Sequence, residues 1–175
     1  MKRLTIIISC VLYLLSGIAA MGQNNESILK AVSQIGDAVV EYSMTATNDK
    51  GRTIMKQAGV VEIRNTSYKV SSEDMQIYCN GVDRWLFSPK TEELVIMNND
   101  MSSDNPMDNP LVFLSSSKVK KNSDGTSAIT YKGSDSVTFV ITILKIGKSI
   151  AEWPADYFTF DTDSIGDNVI VTDLR

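Results

Sequence analysis

The sequence predicts a mainly β fold: an incomplete, half-open antiparallel β-barrel with an N-terminal α-helix and a short helical lid. Three observations support this prediction. Apolar and polar residues alternate with a period of two between Ala38 and Met97, turn residues interrupt that alternation at short intervals, and one helical pattern precedes it. Many short, sequential strands with a single helix are typical of strongly curved antiparallel sheets and open barrels.

Residues 1–22 have the composition of a cleaved signal peptide. The basic pair Lys2-Arg3 precedes the apolar run Leu4–Ala20, and cleavage is expected after Gly22, with a site two residues earlier as the alternative. A membrane anchor and lipoprotein processing at Cys10 are the other interpretations. Both are disfavoured, because the run is short for a bilayer and contains polar residues, and because it continues past the cysteine. Export to the periplasm is therefore expected.

The mature chain, residues 23–175, has the size of one domain, and its composition excludes several functions. It contains no histidine, which rules out Ser-His-Asp and Cys-His nucleophiles and most zinc or iron sites. The net charge of the full chain is −4 and no basic patch stands out, so nucleic acid is not an expected partner. Cys79 is the single mature cysteine, and its strand pattern predicts a buried, inert thiol. We expect no enzyme activity, no cofactor and no metal.

The mature chain begins with the predicted helix Asn25–Gly36. An asparagine can cap its start, Glu26 suits the positive helix N-terminus, and Gly36 ends it. One stripe carries its apolar residues, which are Ile28, Leu29, Val32 and Ile35. This stripe predicts a helix that covers a sheet, and a movable lid is the sharper alternative.

About six consecutive antiparallel strands are predicted between Ala38 and Met97. Turn residues separate them at Asn48–Gly51, Asn65-Thr66 and Ser71–Asp74. In the first strand Val40, Tyr42 and Met44 share one face, and the register that starts at Val39 is the alternative. The concave face, which carries one or the other of these two sets, is expected to meet the helix.

The segment Met75–Met97 is a predicted meander of three short strands. Its turns are Asn80–Asp83, with an Asn-Gly pair, and Ser88–Thr91, with a Ser-Pro pair. Within it, Trp85 and Phe87 alternate with other residues and therefore share one face of the sheet.

The C-terminal half is more irregular. A polar, proline-containing loop is predicted at Asn98–Pro110, followed by the short apolar anchor Leu111–Leu114, which has the length of one helical turn. The strands then resume, and the remaining apolar segments are Ser117–Lys121, Ser127–Tyr131, Val137–Leu144, Ile150–Trp153, Tyr157–Phe160 and, as a last edge strand, Val169–Leu174.

Matches scattered along the mature chain resemble the LolA-like lipoprotein carriers. The signature "DGK-x-x-W-x-Y-x-P…E-V" is similar to this chain at Gly81, Trp85, Phe87, Pro89, Glu93 and Val95. Gly59–Arg64 resembles the strand that leads to the family's basic residue, Tyr68 the aromatic residue after it, and Asn109-Pro110 the Asn-Pro before a short helix. The segment from Phe158 to the final Asp173-Leu174-Arg175 resembles the close of the Bacteroidota branch.

This resemblance implies a periplasmic carrier with an apolar cavity and no catalytic site. The implied partners are acylated lipoproteins, an inner-membrane lipoprotein-releasing transporter and an outer-membrane acceptor, and the carrier is expected to be a monomer. A gating role is implied for Arg64, although this chain has Asn65 where the proteobacterial branch has proline. The candidate acyl-binding residues are Trp85, Phe87, Ile63, Tyr68, Met44 and Leu94.

The mature methionines suit a cavity wall that adapts to chains of variable packing, because methionine is flexible and polarisable. They are Met44, Met55, Met75, Met97, Met101 and Met107. A lipid-sensing regulator of envelope stress on the same fold is the alternative function. That class usually carries a second domain, for which this chain has no room.

Overall fold

The computed structural model describes residues 25–100, 119–133 and 136–175. The predicted signal peptide 1–22, most of the predicted loop Asn98–Pro110 and the predicted apolar anchor Leu111–Leu114 lie outside these residues. Within them the structure contains one α-helix, α1 (Asn25–Ile35). It also contains ten strands: β1 (Ala38–Thr47), β2 (Thr53–Arg64), β3 (Ser67–Ser72), β4 (Gln76–Cys79), β5 (Asp83–Ser88), β6 (Glu93–Asn98), β7 (Val119–Lys121), β8 (Ser127–Lys132), β9 (Thr138–Lys148) and β10 (Ile170–Asp173).

All ten strands form one open sheet in the order β10-β6-β5-β4-β3-β2-β1-β9-β8-β7. The prediction of a mainly β, non-closed sheet with little helix is confirmed. The six strands predicted between Ala38 and Met97 correspond to β1–β6, and each pairs with its sequence neighbour in antiparallel fashion. No helix in the described ranges is long and apolar enough to cross a membrane.

Strand β10 departs from the predicted antiparallel pattern, because it lies parallel to β6. Strands β9 and β10 run in the same direction, and parallel strands need a long crossover connection. Residues 149–169 supply that connection. We call them the crossover segment, because they pass over one face of the sheet from β9 to the edge beyond β6.

The helix packs on the opposite face, which we call the helix face. Ile28 and Val32 of α1 join a buried core with Val40, Tyr42 and Met44 of β1. Of the two registers that the sequence left open for β1, the structure has the one with Val40, Tyr42 and Met44 inward, and the helix packs against that face. Neighbouring strands extend this core with Val61, Ile63, Tyr68, Val70, Ile77, Cys79, Ile129 and Ile143.

A second, smaller core lies under the crossover segment, on what we call the crossover face. Trp85, Leu94 and Ile96 are buried there, and Tyr78, Phe87, Phe160, Ile165 and Val169 pack around them. Both faces of β5 are thus covered, so the consecutive residues Arg84 and Trp85 are both buried. If only one face of β5 were covered, only one of these two residues would be buried, because consecutive side chains point to opposite faces.

Two of the predicted turns depend on backbone that glycine adopts readily. Gly51 and Gly81 have φ angles of +70° and +97°, a conformation that side chains with a Cβ disfavour. In the second turn Asn80 Oδ1 accepts hydrogen bonds from the amides of Val82 and Asp83, each at 2.9 Å. The Asn-Gly turn between β4 and β5 is therefore confirmed, and it sets the register in which Tyr78 faces Trp85.

Candidate functional site

A cavity of about 350 Å³ opens on the helix face between β2 and the β5–β6 hairpin. Its lining comprises Met55, Gln57, Asp74, Met75, Leu86, Phe87, Ser88, Glu93 and Val95. Three strands separate β2 from β6 in the sheet, so a cavity in contact with both requires the sheet to curl around it. We call it the helix-face cavity.

The pairing register explains why these side chains converge. In β2, Met55 pairs with Ala46 and Gln57 pairs with Met44. Ala46 and Met44 lie on the helix face of β1. On the other side of the cavity Leu86 pairs with Ile77 and with Val95. Because side chains alternate along a strand, these positions share the inward face.

The walls of the helix-face cavity are mainly apolar. Met55, Met75, Leu86 and Val95 supply aliphatic and thioether surface, and Met75 and Leu86 also pack against the main core. Two carboxylates, Asp74 and Glu93, border the cavity, and Asp74 forms an ion pair with Lys90. The apolar part of this lining suits an apolar chain. No group of metal-ligating side chains occurs among the described residues.

The structure does not bring the six predicted acyl-binding residues together. Met44, Ile63 and Tyr68 lie in the buried core of the helix face and do not line the cavity. Trp85 and Leu94 lie in the second core, on the crossover face. Phe87 packs against that second core and also borders the helix-face cavity. Their role in acyl binding stays a prediction, but they do not form one surface.

Several cavity-lining residues that the sequence did not predict are the immediate sequence neighbours of predicted acyl-binding residues. Leu86 lies between Trp85 and Phe87, and Val95 follows Leu94. A shift of one residue moves a side chain to the other face of a sheet. The methionines expected to suit a cavity wall did include Met55 and Met75, which line the cavity. The presence of methionine was therefore a sequence feature that pointed to part of the lining.

Polar side chains are buried beside the core of the helix face. Arg84 is buried and its Nη2 lies 2.6 Å from Met97 Sδ. Burial is the main cause of the raised pKa of Tyr68, which interacts with both Arg84 and Cys79. Burial likewise raises the pKa of the Cys79 thiol. Cys79 is thus a buried, protonated thiol, and the prediction that it is buried is confirmed.

Arg64, the predicted gating residue, joins three parts of the chain on the crossover side. Its Nε and Nη2 donate to the two carboxylate oxygens of Asp37 at 2.7 Å each, and its Nη1 donates to the Trp153 carbonyl oxygen at 3.1 Å. Its guanidinium carbon also lies 5.4 Å from the Trp153 ring centroid and 5.9 Å from that of Phe158. In this arrangement Arg64 holds the crossover segment. A gating role stays a prediction.

Aromatic rings continue this contact across the crossover face. Trp153 and Tyr157 stack at 5.3 Å with an interplanar angle of 6°. The Tyr157 hydroxyl donates to the Glu62 carboxylate at 2.9 Å, and burial with this hydrogen bond raises the pKa of Tyr157 to about 12. Farther along, Phe160 contacts Tyr78 edge-on at 5.2 Å and Phe87 at 5.3 Å. The crossover segment is therefore anchored along most of its length.

A second cavity, of about 410 Å³, lies where the crossover segment leaves β9. Its charged lining includes Glu41, Glu62, Lys145, Lys148 and Glu152. Two of these charges form a pair, because Lys145 Nζ lies 3.4 Å from Glu41 Oε1. A lining with charges of both signs is a poor match for an acyl chain, since desolvating charges is costly. The helix-face cavity is therefore the better candidate.

The bidentate pair between Arg64 and Asp37 predicts a pH-dependent stability. The hydrogen bonds from Arg64 hold the pKa of Asp37 below its ordinary value of 3.8. A carboxyl group with a lowered pKa stabilises the folded state above that ordinary value, and the contribution is lost as the pH falls through the folded-state pKa. We expect Asp37→Asn to lower the melting temperature at pH 7, and the difference from the parent to narrow below about pH 4.

Thermal unfolding between pH 7 and pH 2 would check this expectation. Asp49→Asn is the matched control, because Asp49 lies in the exposed β1–β2 turn. A difference between the parent and Asp37→Asn that stays constant down to pH 2 would contradict the role of the ion pair.

No known protein family matches this sequence, and no curated protein matches it either. Among solved structures, the chain is similar to a DUF1329 family protein from Desulfovibrio piger. The two share 7% sequence identity with a TM-score of 0.40, and the similarity covers 81% of this chain and 98% of that chain. A similarity this low assigns neither family nor function, so the proposals below depend on the residues of this chain.

Proposed function

We propose that the protein is a periplasmic carrier that binds acyl chains in the helix-face cavity and shuttles lipoproteins from the inner to the outer membrane. The proposal includes a cleaved signal peptide, an inner-membrane transporter that loads the carrier and an outer-membrane acceptor that unloads it. One observation carries the binding step. An open, curled sheet presents a mainly apolar cavity of about 350 Å³ that includes two methionines.

The chemistry of the cavity supports an acyl ligand. Burying an acyl chain gains about 0.8 kcal/mol per methylene, so about ten methylenes gain roughly 8 kcal/mol before the costs of immobilisation. Ligand cavities usually measure about 300–1,000 Å³, so this one lies near the lower limit. Methionine side chains adapt to ligands of different shape, which suits a carrier with many cargo proteins.

Two adjacent residues of β2 provide a matched test of the cavity. Met55 lines the cavity and is 38% exposed, whereas Ile54 is 56% exposed and points to the other face of the sheet. We expect Met55→Asp to weaken binding of a fluorescent palmitoyl probe at least about tenfold, because a carboxylate in an apolar site must be desolvated. Ile54→Asp should leave the affinity unchanged.

Probe titration by fluorescence and melting temperature would be measured for the parent and both variants. The comparison is informative because both positions are already partly exposed, so neither carboxylate should greatly change stability. The proposal fails if the folded parent binds no acyl probe, or if both variants weaken binding equally. Native mass spectrometry of protein purified from the periplasm would identify any lipid or lipoprotein that remains bound.

A further inference from the structure

Strand β10 ends the described sheet at one edge. It pairs on one side only, with β6. Three apolar side chains in or next to this strand are exposed: Ile170 by 63%, Val171 by 47% and Leu174 by 64%. Lysine, proline and bulges commonly protect sheet edges from pairing with other chains, and β10 contains neither lysine nor proline. We call its outer side the β10 edge.

Within residues 25–100, 119–133 and 136–175, no strand pairs with the outer backbone of the β10 edge. The amides of Ile170 and Leu174 donate to the carbonyl oxygens of Glu92 and Ile96, each at 2.8 Å. Because alternate residues of a strand bond to the same neighbour, the amides of Val171 and Asp173 point away from β6. Extended peptides add to exposed sheet edges through such groups.

Acidic residues surround the β10 edge. Between residues 161 and 175 the exposed carboxylates are Asp161, Asp163, Asp167 and Asp173. Arg175 is the single basic residue there, and its guanidinium is paired, because Nη2 lies 2.7 Å from Asp173 Oδ2 and Nη1 lies 3.2 Å from Asp83 Oδ2. An incoming strand therefore meets a negative field.

We propose that the β10 edge is a docking site for an extended, basic segment of a partner protein, which adds to the sheet as an eleventh strand. Because side chains alternate along a strand, valine or isoleucine side chains on one face of that segment would cover Ile170 and Leu174, which share a face of β10. Lysines or arginines on its other face would lie on the side of Asp173. Charge complementarity of this kind raises the association rate and disfavours wrong partners. The neighbouring strand β6 contributes Glu93 and Val95 to the helix-face cavity, but no residue of β10 lines it. The proposal therefore does not depend on acyl binding.

A second copy of this chain fits the β10 edge less well. Two β10 edges would bring like charges together, which is unfavourable. The opposite edge strand, β7, is basic, with Lys120 and Lys121, but it is three residues long. Its one apolar residue, Val119, is partly buried against the core. Strand β7 therefore offers little apolar surface to cover Ile170 and Leu174.

Two synthetic ten-residue peptides test the proposal with the whole protein. One alternates lysine and valine, and the other alternates glutamate and valine. We expect the lysine peptide to bind, with backbone amide shifts in ¹⁵N-resolved NMR spectra that are largest at Val171 and Asp173. Binding should weaken several-fold between low salt and 0.3 M salt, because salt screens exposed charges. The glutamate peptide should not bind.

Two variants separate backbone docking from general attraction. Val171→Pro removes an outward amide at a position where an edge strand tolerates proline, and it should reduce lysine-peptide affinity at least tenfold. Asp167→Asn leaves the backbone intact and should reduce affinity two- to fivefold. Asp49→Asn, in the distant β1–β2 turn, is the matched control and should have no effect.

Several outcomes would overturn the proposal. They are equal binding of the two peptides, amide shifts centred away from β10, and full affinity in Val171→Pro. Concentration-dependent dimers or filaments of the protein alone, with shifts at the same amides, would assign the β10 edge to a second copy and would likewise overturn it.

Discussion

Replacing Trp153 by alanine is expected to lower the free energy of unfolding by about 3–5 kcal/mol, the usual cost of truncating a buried tryptophan. Trp153 is buried, stacks on Tyr157, meets Phe158 edge-on at 5.3 Å and supplies the carbonyl that accepts from Arg64. It is thus the first firm anchor of the crossover segment after β9. For a domain of this size the change corresponds to a fall in melting temperature of roughly 6–20 °C.

In Trp153→Ala the loss of stability should be largest in the crossover segment, in addition to the lower free energy of global unfolding. Hydrogen exchange and limited proteolysis of Trp153→Ala should show faster exchange and new cleavage within residues 149–169. Strand β10 should also exchange faster, because the crossover segment places it beside β6. Tyr157→Phe is the matched control, since it keeps the stacked ring and removes only the hydrogen bond to Glu62, and it should cost less than the tryptophan variant.

A small loss of stability in Trp153→Ala, with no change in exchange across residues 149–169, would contradict this account. The crossover segment would then be held chiefly by Phe160 and its neighbours at the other end. Comparing Trp153→Ala with Phe160→Ala would show directly which end carries the attachment.

Local sequence patterns were sufficient to predict most of the sheet. The alternation of Val40, Tyr42 and Met44 predicted the strand, and it left two registers open for the face that meets the helix. Asn-Gly in the β4–β5 turn predicted where the chain reverses. These features depend on neighbours within a few residues, and a period of two or a turn residue reports them directly.

The parallel pairing of β10 with β6 could not be predicted in the same way. It joins segments more than seventy residues apart, and nothing in the period of Ile170–Asp173 distinguishes a parallel from an antiparallel neighbour. The crossover segment makes this parallel pairing possible. In the sequence it contains only two short apolar segments, which lie on either side of Pro154. Their aromatic residues cover the part of one face that extends from Arg64 in β2 to Phe87 in β5.

The candidate site was only partly predictable for the same physical reason. Alternation shows that Trp85 and Leu86 face opposite sides, but it cannot say which side carries the cavity. Because the crossover segment covers one face of β5 and the curled sheet encloses the other, both faces are apolar. The aromatic residues Trp85 and Phe87 were predicted to bind the acyl chain because of their size. Both pack in the core on the crossover face.

Trp85 and Leu86 therefore allow the sharpest test of where an acyl chain binds. Trp85 is buried with Leu94 and Ile96 on the crossover face, whereas Leu86 lines the helix-face cavity. We expect Trp85→Ala to lower the free energy of unfolding by about 3–5 kcal/mol while the affinity for a palmitoyl probe changes less than about twofold. Leu86→Ala should cost about 2 kcal/mol, because Leu86 is only partly buried, and should weaken binding about tenfold.

The measurements are chemical denaturation and probe titration at a temperature at which all variants are folded. Opposite rankings are expected for the two properties, with Trp85→Ala the less stable variant and Leu86→Ala the weaker binder. A general loss of structure would lower both properties together and cannot produce this reversal. If the folded Trp85→Ala variant loses acyl affinity as strongly as Leu86→Ala, the acyl chain must reach the crossover face, and the crossover segment would have to move aside to admit it.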